Sequence, residues 1–273
     1  MSILWYNIFV SDVVKNKILL FIPGYNCEKQ IVRVLEKVQE SGVMKYIDEI
    51  IFVNNRSTDN SEHAVLGFKK KSNLPIHVFR NINNYNLGGS HKVAFDYAKK
   101  NNFDYVIVLH GDDQGDINDI LPVLEDKSYL LHDCMLGARF IKGSKLIGYS
   151  KFRTFGNRVY NLLFSIVVHN RIYDLGSGLN IYSTKMLKNS FYKKFPDRLT
   201  FNYCMILAAH YYKHNIAFFP ITWREEDQVS NVKMTSQAFL VLKMLFRYAF
   251  HHDYIKTEFR DEIVKKYDYE EIE

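Results

Sequence analysis

Two hydrophobic periods alternate along the N-terminal part of the chain. Ile18-Leu19-Leu20-Phe21-Ile22 is a continuous apolar run stopped by Pro23-Gly24, which predicts a strand buried on both faces. Asn26 stands where it would cap a following helix. Ile31, Val34, Leu35 and Val38 then recur at i, i+3, i+4 and i+7, with Gly42 just beyond as a stop. Glu49-Ile50-Ile51-Phe52-Val53 predicts a second strand, and Asp59 and Glu62 have capping-box spacing before a second helix. Ile76-His77-Val78-Phe79 predicts a short strand. Asn86-Leu87-Gly88-Gly89-Ser90 leads into a helix through Ala98, and the strand Tyr105 to Leu109 follows. Repeated βα units of this kind imply an α/β fold with a mostly parallel sheet and right-handed crossovers.

The pattern is less regular further on. Val159, Leu162, Leu163, Ile166 and Val167 make one apolar helical stripe. Ile181 to Leu187 and Ala217 to Ile221 read as elements completing the sheet. Phe239 to Phe250 predicts a helix apolar nearly all round, with Lys243 and Arg247 on one flank. No repeat or linker interrupts the chain. The expected organisation is one catalytic-type domain over 1–235 and a C-terminal extension of amphipathic helices over 236–273.

Composition narrows the class. With 273 residues, 47% of them hydrophobic, the chain can bury a sizeable core. Cys27, Cys134 and Cys204 are odd in number and widely spaced, which fits neither a disulfide framework nor a zinc site and points to a reducing cytoplasm. The start, Met1 to Tyr6, lacks a basic signal-peptide region, and no stretch reaches the roughly 18 apolar residues of a membrane span. The net charge is +6, but eleven bases lie between Arg139 and Lys194 with Asp174 as the lone acid among them. Such a one-sign block suits an anionic partner such as phosphate or a membrane surface.

The chemistry concentrates at the ends of the strands. Val106 to Leu109 runs straight into His110-Gly111-Asp112-Asp113-Gln114-Gly115-Asp116. Open α/β sheets bind ligands at the carboxyl ends of their strands. Oxygen donors clustered there suit Mg²⁺ or Mn²⁺, which would neutralise a diphosphate. Three other loops lie at the same edge: Pro23-Gly24-Tyr25-Asn26-Cys27-Glu28, Val53-Asn54-Asn55-Arg56-Ser57-Thr58-Asp59, and Asn86-Leu87-Gly88-Gly89-Ser90-His91-Lys92. Small and amide side chains would let a nucleotide approach the backbone, and helix N-termini favour phosphate. The first loop is not the G-x-G-x-x-G of a dinucleotide enzyme, nor the Gly-rich loop of a sugar nucleotidyltransferase.

The ordered set of loops resembles the family 2 glycosyltransferases of GT-A fold, over roughly residues 17 to 235. Phe155-Gly156-Asn157-Arg158-Val159-Tyr160-Asn161-Leu162 and Asp174-Leu175-Gly176-Ser177-Gly178-Leu179 are similar to segments of the dolichol-phosphate-mannose-synthase-like branch. The resemblance implies a GT-A-type Rossmann-like sheet. It implies a nucleotide-diphosphate sugar donor of UDP or GDP type, held by Pro23, Tyr25, Asn26, Glu28, Asn54, Asn55, Ser57, Gly88, Gly89 and Lys92. Lys233 would close over the diphosphate from a late loop. Asp112, with Gln114 in support, would hold the metal. Arg139, Arg153 and Ser177 would face the acceptor. Three positions depart from the pattern: the paired aspartates of the second loop are Asn54-Asn55, the following glycine is Arg56, and the first aspartate of D-x-D is His110. Asp113 replaces an apolar residue and is expected to face away from the metal.

The implied reaction is a single displacement with inversion at the anomeric carbon. Relatives that use hydroxyl acceptors carry a carboxylate pair at the start of a late helix, where this chain has Leu199-Thr200-Phe201-Asn202-Tyr203. A phosphate monoester needs no such base, because its second pKa is about 6. A polyprenyl-phosphate acceptor is therefore expected, at the inner face of a membrane, with no nucleic-acid role. Asp174 is either a base for a hydroxyl acceptor in glycan assembly or, preferably, a group that orients Arg139 or Arg153 by a salt bridge. A degenerate sugar-nucleotide-binding protein is the non-enzymatic alternative.

Overall fold

The computed structural model describes residues 15–226, 234–264 and 266–273. Its elements run β1 (Ile18–Gly24), α1 (Glu28–Glu40), β2 (Glu49–Asn54), α2 (Ser61–Lys69), β3 (Ile76–Asn81), α3 (Asn86–Lys100), β4 (Tyr105–Leu109), α4 (Leu121–Glu125), β5 (Cys134–Ala138), β6 (Lys145–Ile147), α5 (Lys151–Val168), β7 (Leu179–Ser183), α6 (Thr184–Leu187), α7 (Phe201–Tyr211), β8 (Ile216–Pro220), β9 (Thr222–Arg224), α8 (Met234–Phe250) and β10 (Tyr269–Ile272).

Eight strands form the main sheet in the order β10-β3-β2-β1-β4-β7-β5-β8. β3, β2, β1 and β4 are mutually parallel, as the alternating βα pattern predicts. β7 runs antiparallel to both β4 and β5, and β8 pairs parallel with β5. Reversal at β7 has a consequence for the site. The chain leaves β5 and enters β7 at the same edge where it leaves β4.

Side chains of β1 alternate between two buried layers. Leu19 and Phe21 join α3, α7 and α8 on one face of the sheet, whereas Leu20 and Ile22 meet α1 and α2 on the other. A strand covered on both sides needs the unbroken apolar run seen in the sequence. Each such Leu, Ile or Phe contributes roughly 1.5–3 kcal/mol by leaving water. In α1 the expected stripe of Ile31, Val34, Leu35 and Val38 is buried.

Four local expectations are corrected. Asn26 does not cap α1: Cys27 holds the N-cap position, and Asn26 reaches across to the next loop. Glu62 makes no capping box, because Arg80 and Asn54 draw it sideways. The stretch Ile181 to Leu187 is a strand end that turns into α6 at Thr184. The C-terminal segment is not wholly helical: after α8 the chain returns to add β10 antiparallel to β3. Its register explains why. Tyr269 stacks on Phe79 at 4.4 Å, and Glu270 pairs with Arg80 at 2.9 Å.

Candidate functional site

The β1 and β2 loops are zipped together. The Asn26 amide donates to Ser57 Oγ at 3.1 Å, and the Thr58 amide donates to Asn26 Oδ1 at 2.8 Å. The Glu28 amide donates to Asp59 Oδ2 at 3.1 Å, and the Asn60 amide returns a bond to Glu28 Oε2 at 3.3 Å. Pro23 is buried at the end of β1, and its carbonyl accepts from Gly111 at 3.1 Å.

The two asparagines that replace the expected aspartates face inward. Asn54 Oδ1 accepts from the Ser57 amide at 2.8 Å, and its Nδ2 donates to Glu62 at 2.7 Å. Asn55 bonds Asn84, Asn81 and the Tyr85 amide. An aspartate cannot donate, so only the amide closes these networks. Both side chains hold the loops together at the edge where the donor is expected. Arg56, where the resemblance expects glycine, is exposed and keeps a left-handed φ of 63°. Of the first loop, Tyr25 presents the exposed ring, 47% accessible.

The residues expected of the third loop are packed into the protein. Gly88 and Gly89 open α3 against the 196–201 turn: a Cβ on Gly88 would fall 2.5 Å from Pro196 O, and one on Gly89 would fall 2.4 Å from Tyr85 Cβ. The free amides of this helix start are taken by the Asp197 carbonyl, at 2.6 and 3.3 Å. Lys92 is fully buried, where its Nζ donates to Phe195 O at 2.5 Å, Asp197 Oδ1 at 2.6 Å and Tyr267 Oη at 3.1 Å. Close helix packing explains these glycines and this lysine. Lys233 lies outside the described residues.

After β4 the acids separate into distinct roles. Asp113, at φ 60°, turns away and is clamped by Arg33 at 2.9 Å and Lys37 at 2.6 Å, both on α1. Asp116 caps the turn at Asn118 and faces Arg224 at 3.5 Å. Asp112 Oδ1 accepts from the Gln114 amide at 3.2 Å. Crowding of the cleft desolvates Asp112 and pushes its pKa up to about 6, with Asp113 adding to the rise. Gln114 keeps its carbonyl on the Arg224 amide at 2.9 Å, which ties this loop to β9.

His110 points inward beneath the sheet edge. Its amide donates to Gly178 O at 2.9 Å, and its buried Nε2 has no partner among the described residues. Burial, with help from the Arg139 charge, depresses its pKa to about 4, so the ring is neutral near pH 7. Among the described residues no three His, Cys, Asp or Glu side chains converge into a metal cage. The donors present fit a hard cation held by one carboxylate, Asp112, together with substrate phosphates, a mode that Mg²⁺ accepts.

Arg139 and Asp174 meet at the same edge from β5 and the approach to β7. Asp174, 2% exposed, accepts from Arg139 Nε and Nη2 at 2.8 Å each and from the Arg139 amide at 2.8 Å. Burial opposes the guanidinium's charge, yet Asp174 holds its pKa above the usual arginine range. Its carbon lies 4.9 Å from the Trp223 ring and 5.7 Å from Tyr149. Arg153, from the first turn of α5, covers Tyr149 at 4.8 Å and pairs with Glu225 at 2.5 Å. Ser177 is buried, with its Oγ on Leu179 O and Asn180 Oδ1, and builds the wall of this edge. Sequence reasoning misses Tyr149, Trp223 and Glu225. The aromatics carry no motif of their own, and only the pairing of β6 with β9 brings them to Arg139.

The acidic strand end, the zipped first loops and the buried arginine thus share one edge of a mostly parallel α/β sheet, where such folds bind ligands. Residues 20–195 match the profile of Glycosyl transferase family 2, and the chain belongs to that family. An uncharacterized protein of Methanocaldococcus jannaschii is 27% identical over 186 residues, 66% of this chain and 76% of its own length. Staphylococcus aureus TarS 1–349 superposes with a TM-score of 0.57 at 19% identity, over 89% of this chain and 70% of TarS. Mycobacterium tuberculosis glucosyl-3-phosphoglycerate synthase, crystallised with Mn²⁺, UDP and glucosyl-3-phosphoglycerate, superposes with a TM-score of 0.59 at 13% identity, over 86% of this chain and 80% of that one.

Proposed function

We propose that the chain transfers a sugar from a UDP- or GDP-type donor to a polyprenyl phosphate with inversion, in the manner of the dolichol-phosphate-mannose-synthase-like branch. The observation that carries the acceptor class is the state of Asp174. It is the lone acid of the basic 139–194 block, and Arg139 grips it through both carboxylate oxygens. A carboxylate held so is a poor general base, since protonation would break a buried ion pair. The phosphate acceptor arrives already ionised and needs cations. Arg139 is buried behind Trp223 and Tyr149, and Arg153, about a third exposed beside it, stands to receive charge.

Tyr25 stacks on the nucleotide base at the end of β1. Asp112 holds a divalent cation, Mg²⁺ or Mn²⁺, which when bound offsets the charge developing on the leaving diphosphate. Its raised pKa is consistent with a carboxylate that a cation would stabilise. The glucosyl-3-phosphoglycerate synthase complex, which contains both UDP and Mn²⁺, supports a metal-linked uridine donor.

A sugar-hydroxyl acceptor in glycan assembly is the second reading, favoured by Glu225. This carboxylate lies beside Tyr149 and, were it released from Arg153, would be a base. Donor consumption separates the two. UDP- and GDP-sugars are incubated with Mn²⁺ and either short polyprenyl phosphates or free sugars. Stimulation by the lipid phosphates alone is expected. Stimulation by free sugars, lost in Glu225→Gln, would move the acceptor to a hydroxyl, and no turnover with any donor would leave a binding protein.

A further inference from the structure

A cleft of about 670 Å³ opens where the strands begin, opposite the donor loops. Ile216, the first residue of β8, lines it, whereas Arg139 follows the far end of the neighbouring β5. A strand length, five residues at roughly 3.3 Å each, separates the two levels. Clefts of this volume hold small organic molecules. The floor is apolar, with Val168, Ile172, Ile206 and Ala209 buried. The rim is basic: His169 caps the end of α5, His210 lies in the last turn of α7, Lys213 lies just beyond it, and His252 follows α8. No carboxylate lines the cleft among the described residues.

Bases near helix ends commonly do no more than offset the helix dipole. Here α7 is closed by its own backbone. The Tyr212 amide donates to Ala208 O at 2.8 Å, and the His214 amide donates to Ala209 O at 2.8 Å. The side chains are left for another use. The Tyr248 hydroxyl donates to Leu207 O at 3.1 Å, so it accepts from His210 Nδ1 at 2.7 Å. That places a proton on Nδ1 and leaves Nε2 without a bond among the described residues. His252 stacks on Tyr248 at 5.0 Å and meets the His210 ring edge-on at 5.7 Å. Burial, then His252 and His169, push the His210 pKa down, so the imidazoles crowd one another with no acid between them. The nearby carboxylates are engaged elsewhere. Asp133 accepts from the Asn215 amide at 2.8 Å and faces His214 at 3.4 Å. Asp253 is held by Lys256 at 3.0 Å and by the Tyr211 hydroxyl. Lys213 makes no ion pair among the described residues.

We propose that this cleft binds an organic anion, in which Lys213, His210 and His252 receive the anionic head and the apolar floor receives the body. Histidine charges between about pH 8 and pH 5, so the rim gains positive charge as pH falls and the ligand binds more tightly in acid. A metal ion suits the cleft less well, because no three His, Cys, Asp or Glu side chains converge into a cage among the described residues.

Octanoate, acetate and octanol are each added to the full chain while the histidine Hε1 resonances, assigned by single His→Gln replacements, are followed by NMR. Octanoate is expected to move the His210 and His252 signals and to raise the His210 titration midpoint. It should bind roughly tenfold tighter near pH 6 than near pH 8. Acetate, which lacks the body, should bind weaker by about tenfold or more. Octanol, which lacks the charge, should gain nothing in acid. Lys213→Gln with His252→Gln should weaken octanoate roughly tenfold with an unchanged circular dichroism spectrum, since both residues are exposed. Phe155→Ser with Phe246→Ser, on exposed faces of α5 and α8, should leave the shifts intact. Signals unmoved by millimolar octanoate near pH 6 overturn the proposal. So does acetate acting as strongly as octanoate, which would mark exposed bases and no cleft. Unchanged octanoate binding in the Lys213→Gln, His252→Gln variant would place the anion elsewhere and overturn it too. Binding is read without turnover, so failure of the transfer assay and failure of this site remain separate results.

Discussion

The His110 ring occupies the space where a side chain at Gly178 would begin. A Cβ on Gly178 would lie 2.8 Å from His110 Cγ, while the His110 amide holds Gly178 O at 2.9 Å. The histidine that departs from the family pattern is therefore matched to a glycine on the neighbouring segment.

Gly178→Ala should thus overpack the β4–β7 edge, with a loss of about 1–3 kcal/mol in urea unfolding. Paired with His110→Ala, much of that loss should return. Equal losses with and without the ring would remove His110 as the cause.

Asp174→Ala strands the Arg139 guanidinium in a buried site. Unfolding free energy should fall by about 3–5 kcal/mol. The double replacement Asp174→Leu with Arg139→Met should recover a large part. Were Asp174 a base and nothing more, Asp174→Ala would keep its stability and lose only turnover.

Asp112 makes stability and metal binding depend on pH in opposite senses. Its folded pKa, about 6, lies above the ordinary 3.8. Between those values the folded chain keeps a proton that the unfolded chain has lost. The stabilisation is full below the ordinary value and fades as pH rises through about 6, on the order of 3 kcal/mol in metal-free protein. Metal needs the ionised form, so Mn²⁺-dependent thermal shifts with UDP-sugars should weaken below that pH. Asp112→Asn should flatten the stability profile and remove the Mn²⁺-dependent shift; an intact shift in that variant would place the cation elsewhere.

Lys92→Met tests the reassignment of the third loop. Loss of the buried bonds to Phe195, Asp197 and Tyr267 should cost roughly 3 kcal/mol of stability. UDP affinity, by calorimetry below the melting range, should stay within about twofold of wild type, because RT ln 2 is a few tenths of a kcal/mol. A tenfold loss would return Lys92 to the donor site.

The sequence is most informative where one local rule decides the outcome. Apolar runs bounded by Pro-Gly or acids locate β1, β2 and β4, because strands buried on both faces tolerate little else. β10 is not legible: Tyr-Glu-Glu-Ile becomes a strand only through Phe79 and Arg80, far away in the chain. Motif order points to the right edge of the sheet but overstates what each motif does there. A glycine pair before a helix reads alike whether it admits a phosphate or the 196–201 turn, and an asparagine reads alike whether its amide meets a base or Glu62. Such choices are made by three-dimensional neighbours. Tyr149 and Trp223 escape notice for the same reason, while the lone acid Asp174 reads as a base or as a partner of Arg139 or Arg153, and only the fold selects Arg139.

One consequence of β10 concerns the behaviour of shortened chains. β3 carries Val78 and Phe79, and β10 satisfies its outer backbone groups while presenting Glu270 and Glu271 at the new margin. Charged residues on a margin strand discourage further pairing. Deleting residues 266–273 would uncover an apolar strand with an open ladder, and light scattering should then report aggregation that the intact chain resists. The acidic tail thus serves colloidal stability as well as folding, a role in which its charge faces other molecules of the same kind.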